Sequence, residues 1–400
     1  MEAAAAPTIW SPYWEITLGD CPTALAWNPV ADQVGVASLA GEVVRIDVAS
    51  GVAEWVAEHA GGALCVAWAG NRMISGGQDG TVTVDGERVD AGGWVGAVAV
   101  APAVAPTVAP TVASTGASTV ASTVASTGAS TVTSTGADAD ARCVAVAHGR
   151  QVSILEVGSS PPSLRQHDRH DTTVTCLCWH PTSIDVLVAG SFGRITQDVA
   201  PATDVVQAVP DVELPVGGSI VAVHASATGW WAAGVRGDVA YLWNDAGASQ
   251  PVELPTGRWS GHLLGFSAGG DLLATASRQM TAVFDFEFTD PLGMPTGMWL
   301  TSIGIPTALA WRPRSAQLIT AVSIGRGADD NGLLVWDPRR SPSPVGFIAT
   351  AGPVEHLAWA SSGDLLALAF ADGTVSVGAV DILGWHPDRR ASLPEPLPPW

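Results

Sequence analysis

Thr23-Ala24-Leu25-Ala26-Trp27-Asn28-Pro29 returns almost unchanged as Thr307-Ala308-Leu309-Ala310-Trp311-Arg312-Pro313. Degraded copies stand at Leu64-Cys65-Val66-Ala67-Trp68, Thr175-Cys176-Leu177-Cys178-Trp179-His180-Pro181, Leu264-Gly265-Phe266-Ser267 and Leu357-Ala358-Trp359-Ala360. Weaker ones stand at Ala97-Val98-Ala99-Val100-Ala101-Pro102 and Val221-Ala222-Val223-His224. A turn and a second apolar run follow each copy, as in Val34-Gly35-Val36-Ala37 and Leu365-Leu366-Ala367-Leu368. Runs without polar alternation suit a sheet covered on both faces. A third run, such as Val43-Val44-Arg45-Ile46-Asp47 or Thr374-Val375-Ser376-Val377, alternates more clearly, as an outer strand should. Most ring positions lie about 41 to 48 residues apart, the period of a four-stranded blade rather than of a helical solenoid. The pattern predicts an all-β chain, a β-propeller of eight four-stranded blades, with seven as the alternative if one weak set is not a full blade.

The last set ends near Val380 without a fourth strand, whereas Tyr13-Trp14-Glu15-Ile16-Thr17-Leu18 precedes the first set and has no partner of its own. The N-terminal strand is therefore expected to complete the last blade and close the ring, removing a free sheet edge. The propeller is assigned to residues 8–383. Residues 101–141 form a tract of Ala, Val, Pro, Ser and Thr between the first and second strands of the third set, expected as a disordered, exposed insertion. Residues 384–400 read as a Pro-rich extended tail, with Pro396-Leu397-Pro398-Pro399 a weak polyproline ligand.

At 47% hydrophobic and 14% charged, the chain can bury a large core. Its formal net charge of -20 repels nucleic-acid phosphates and anionic lipid, so neither nucleic acid nor membrane is expected as a partner. All 18 basic residues are arginine. A Walker A loop, a Schiff-base site and a protein kinase each need a lysine, so all three are excluded. Arginine in place of lysine, with abundant Ala, Val, Gly and Pro, suggests a GC-rich, bacterial genome. Residues 1–7 lack the basic and apolar regions of a secretory signal, and no uncharged apolar run is long enough to span a membrane. With five cysteines, mostly on expected buried strands, a cytoplasmic monomer with reduced thiols is the expectation.

The sets resemble the WD40 repeat. Leu333-Leu334-Val335-Trp336-Asp337 carries the Trp-Asp ending, and Gly76-Gly77-Gln78-Asp79-Gly80-Thr81-Val82 and Ala371-Asp372-Gly373-Thr374-Val375 carry the Asp-Gly turn. His59 and His170 each stand nine residues before Trp68 and Trp179, where that family places a histidine. The resemblance implies a structural role for His59, which would pair with Asp79 and Ser75, and for Asp372, Trp336 and Asp337.

Candidate chemistry is sparse. Cys176, Cys178 and His180 share a strand face, but a rise of about 3.3 Å per residue puts the first about 13 Å from the last, too far for one zinc ion. His167-Asp168-Arg169-His170-Asp171 is metal-like in composition only. Asp47-Val48-Ala49-Ser50-Gly51-Val52-Ala53-Glu54-Trp55 resembles the tryptophan docking motif of quinoproteins, once and without repetition. No catalytic residue, metal ligand or cofactor is assigned.

One pattern stands out. The turns between second and third strands of five successive sets carry Arg150, Arg194, Arg236, Arg278 and Arg326, where an even scatter of arginines would place about one. The same turns elsewhere carry Glu42, Asp79 and Asp372. The planar guanidinium fork suits carboxylate or phosphate. The expected function is thus a non-catalytic scaffold that binds a protein or peptide on the propeller face or channel mouth, with those five arginines as partner-binding residues. Trp230, Trp231, Trp259 and Trp299 are further candidate anchors. The alternative is an enzyme using the central channel, a metal-dependent lactonase or lyase with His224 and His356 near it, or a quinoprotein dehydrogenase.

Overall fold

The structure is a computed structural model and describes residues 8–102, 121–124, 130–133, 143–181, 186–199, 212–213, 218–235, 240–244, 251–254, 263–276, 280–289, 295–301, 304–323 and 331–380. Eight four-stranded antiparallel blades, one of them extended by a short fifth strand, account for nearly all of them, and there is no helix among the described residues. Blades 1 to 7 span 22–58, 63–90, 95–169, 176–213, 220–253, 263–301 and 305–349, each with strands a to d in sequence order from the innermost outward. Blade 8 takes strands a to c from 354–379 and its fourth from Trp14–Thr17, paired antiparallel with Thr374–Ala379. The a strands neighbour one another in the order 1 to 8 and back to 1, so the ring is closed and the count is eight rather than seven.

The Ala-Leu-Ala-Trp pattern follows from how blades meet. Successive strand residues point to opposite sheet faces, and here each face belongs to a different wedge. Leu25 and Trp27 pack toward blade 8 against Ala358 and Ala360. Ala24 and Ala26 turn toward blade 2 and receive Val66 and Trp68. The same small-against-large seam joins Ala97 and Ala99 to Leu177 and Trp179, and Ala308 and Ala310 to Leu357 and Trp359. The core is therefore eight wedges between neighbouring blades.

Hydrogen bonds fasten the same seams. Trp27 donates its indole N–H to the Ala358 carbonyl at 2.9 Å. Trp68 donates to Ala26 at 3.1 Å, Trp179 to Ala99 at 2.9 Å and Trp311 to Gly265 at 2.8 Å. Each acceptor directly precedes the ring position of the preceding blade. In the other direction the Thr23 hydroxyl donates to Ala63 at 2.7 Å and Thr307 to Val354 at 2.6 Å, each at the head of the next a strand. The threonine and tryptophan that bound the motif thus tie each blade forward and backward.

Blade 5 departs from the sequence reading. Ile220 and Ala222 pair with Val235 and Gly234 across the same bulge that Pro22 and Ala24 make in blade 1, which puts Ala225, not His224, at the ring position. The missing ring is replaced from strand b: Trp231 is fully buried, stacks on Trp243 at 6.3 Å, and meets His180 of blade 4 at 5.7 Å.

The N-terminal segment does more than close blade 8. Thr8–Ile9 pairs parallel with strand d of blade 7, and Trp10 donates its indole N–H to the Ser376 hydroxyl at 3.0 Å. The insertion leaves blade 3 between Val95–Val100 and Cys143–His148, as read from the sequence. Of it the structure describes one hairpin, Ala121–Val124 with Ser130–Thr133. Its backbone runs beside the innermost strands of blades 3, 6, 7 and 8. The tail, 384–400, lies outside the described residues.

Candidate interaction face

The b–c turns and the d–a connections form one face of the ring, because main-chain hydrogen bonds lace them together. His59 donates its N–H to Gly41, Gln78 to Gly62, and Gly193 to Gly218. In blade 3 the lacing runs both ways: Gly149 donates to Trp94 at 3.2 Å in the connection before the blade, and Val174 donates to Gly149 at 2.9 Å from the connection after it. Turn glycines permit this closeness. Gly41, at φ 95°, would put a Cβ 2.1 Å from the His59 carbonyl oxygen.

Arg150 and Arg194 both lie on this face, exposed, Arg150 in the turn of blade 3 and Arg194 opening strand c of blade 4. Arg194 reaches Asp171 at 3.7 Å, an ion pair whose acid is almost wholly in solvent. Such a pair contributes little. Arg236, Arg278 and Arg326 lie outside the described residues.

Of the three acids at equivalent turns, Glu42 and Asp79 are held by neighbouring groups, whereas Asp372 stays exposed. Glu42 accepts from the Gly19 N–H at 2.7 Å and the Ser38 hydroxyl at 3.1 Å. Asp372 accepts from the Thr374 N–H at 2.9 Å. Asp79 accepts from Thr81 N–H and hydroxyl, and lies 3.0 Å from His59 Nδ1.

His59 Nε2 lies 2.8 Å from the Ser75 hydroxyl, which is 2.6 Å from Thr83 Oγ1. His59, Asp79 and Ser75 thus form one buried relay pinning the connection before blade 2 to its b–c turn. Burial pushes the Asp79 carboxyl up, but the hydrogen bonds from His59 and Thr81 outweigh it and hold the group below its ordinary range. In blade 7 Trp336 donates its indole N–H to Thr320 at 2.8 Å, while the Asp337 carbonyl accepts from Arg340 and Ser341 in the next turn. His170 approaches Thr196 at 3.4 Å.

The remaining candidates are placed by packing. Cys176 and Cys178 are buried beside Val223 and Trp231, and burial pushes each thiol up to about 12. Among the described residues no group of three or more His, Cys, Asp or Glu is placed to hold a metal ion. His356 Nε2 lies 3.1 Å from the Pro22 carbonyl and fastens blade 8 to blade 1. His224 is buried, which pushes it down to about 4 and keeps it neutral. The Asp47 turn closes on Ser50 at 2.8 Å, but Trp55 is 60% exposed on an outermost strand and locks no blade to another. Of the candidate tryptophan anchors, Trp231 is core and Trp230 is half-buried against Phe286 at 5.1 Å. Trp259 and the Trp299 side chain lie outside the described residues.

Sequence reasoning missed Trp94 and Phe192, which are 63% and 58% exposed on the arginine face. Trp94 immediately precedes strand a of blade 3, and Phe192 sits in the b–c turn of blade 4 beside Arg194. Their position in connections rather than strands was the available signal.

No protein-family model and no curated protein matches the chain. Among solved structures, a chain from a crystal structure of the mitotic checkpoint complex aligns over 95% of this chain and 98% of its own length, with a TM-score of 0.58 and 15% identity. Matches extend to 1505 solved chains, so the fold is too widely shared to name an activity. The likeness shows the fold alone, and the chemistry of the face has to be argued from its own residues.

Proposed function

We propose that the chain is a non-catalytic interaction platform that holds a protein or peptide partner on the face made by the b–c turns and d–a connections. The observation that carries this reading is the exposure of Arg150 and Arg194 at equivalent turns of adjacent blades. In a chain of net charge -20 a local cationic sector opposes the mean field and favours an acidic or phosphorylated segment over other surfaces. The rigid blades hold these turns in fixed positions, so little conformational entropy is lost on binding. On this reading the protein works in the cytoplasm as a monomer, with neither nucleic acid, membrane nor cofactor. Affinity capture from the native cell tests it: Arg150→Glu with Arg194→Glu should lose the partners that the wild-type chain retains, with an unchanged circular-dichroism spectrum. Undiminished capture would overturn it.

A further inference from the structure

Trp94, Arg150, Phe192 and Arg194 form one continuous band, which can be walked hydrogen bond by hydrogen bond. The Trp94 carbonyl accepts from Gly149, next to Arg150. The Arg150 carbonyl accepts from His170 at 2.8 Å, and the Thr172 hydroxyl in the same connection accepts from the Phe192 N–H at 3.1 Å. Arg194 then returns to Asp171 in that connection. Two exposed aromatic rings and two exposed guanidinium groups therefore share one strip across blades 3 and 4, on backbone held at every step. Among the described residues, Leu39 and Ile305 are the other large apolar side chains exposed near this face, and neither is aromatic.

Single exposed apolar residues need no explanation. Aromatic rings interleaved with arginine do, because those residue types dominate the energetics of protein interfaces. We propose that this band is a docking groove for an acidic linear segment of a protein partner, one that carries apolar side chains among its carboxylates. This rests on the interaction-platform reading and names its ligand. The apolar side chains of the segment lie against Trp94 and Phe192, and its carboxylates meet Arg150 and Arg194. A phosphorylated residue suits the band less well. A dianionic phosphate asks for guanidinium groups converging on one point, whereas these two sit on successive blades with Asp171 beside the second. Carboxylates spread along an extended peptide can meet one guanidinium each.

The test uses the full chain and three sets of short synthetic peptides: Asp/Glu with Leu, Phe or Trp, Asp/Glu with only Gly and Ser, and phosphoserine with only Gly and Ser. Binding is read by fluorescence anisotropy. The first set should bind best. Trp94→Ala with Phe192→Ala should weaken it about tenfold or more, and the Arg150→Glu, Arg194→Glu variant should abolish it. Both aromatic side chains are exposed, so the double variant should fold, which urea unfolding checks. Preference for either other set, or undiminished binding by the aromatic variant, overturns this inference. If the arginine variant loses its cellular partners while the aromatic variant keeps them, the interaction platform stands and this groove falls. If both variants keep them, both readings fall.

Discussion

Replacing Trp27 by Phe separates the hydrogen bond of a blade seam from its packing. Trp27 is 3% exposed and donates to the Ala358 carbonyl across the seam between blades 1 and 8. Phenylalanine keeps a ring in the wedge but leaves that carbonyl without its donor, at about 1–3 kcal/mol. The lost volume adds about 1 kcal/mol. The expected destabilisation is therefore about 2–4 kcal/mol. A comparison is built into the ring. Trp359 occupies the same position in blade 8, is fully buried, and its indole N–H has no acceptor among the described residues. Trp359→Phe loses volume, weakens the contact of the Arg312 guanidinium 5.3 Å from the ring centre, and relieves an unpaired donor, so it should cost about 1 kcal/mol. Trp55→Phe, on the exposed rim, should stay within about 0.5 kcal/mol of wild type. Urea unfolding followed by circular dichroism gives each difference as a midpoint shift multiplied by m. Equal losses for Trp27→Phe and Trp359→Phe would refute the claim that indole donors fasten the seams.

Two further outcomes follow from burial. His224 is held down to about 4 from 6.5, so the unfolded chain takes up a proton between those values that the folded chain refuses. Its contribution is complete above about pH 6.5 and is lost as pH falls toward 4, reaching about 2 kcal/mol at about pH 5. Wild type should therefore lose more stability than His224→Leu between about pH 7.5 and 5, and parallel losses would show that the histidine is not buried. The thiols of Cys65, Cys176 and Cys178 are pushed up to about 12, whereas Cys21 and Cys143 are half-buried. Titration of native protein with an aromatic disulfide near neutral pH should label only the latter two, and all five after unfolding; rapid labelling of a third would contradict the wedge packing.

The fold was legible because one physical constraint writes the same letters repeatedly. A wedge needs small residues on one blade face and large ones opposite, and Ala24, Leu25, Ala26 and Trp27 record that alternation within four positions. The closing strand was legible too, since Trp14–Thr17 had no sheet of its own. Blade 5 was misread because Trp231 fills its wedge from strand b, and a linear motif search sees only an absent ring. At the face, sequence singled out Arg150 and Arg194 by their recurrence in turns. It favoured Trp230 and Trp231 over Trp94 and Phe192, because exposure depends on which connections lace over which turns and composition does not record it. For the same reason the acids Glu42 and Asp79 looked like a charged surface until their hydrogen bonds were seen.

The clasp between Trp10 and Ser376 joins positions 366 residues apart. A ribosome adds roughly 5–20 residues per second, so the segment that completes blade 8 leaves the exit tunnel tens of seconds before its seat has been made. Throughout that interval the nascent disc is an open arc with an apolar flank at each end. Two such arcs on one messenger could exchange their first strands, and slow, dilute synthesis should favour each chain closing on itself.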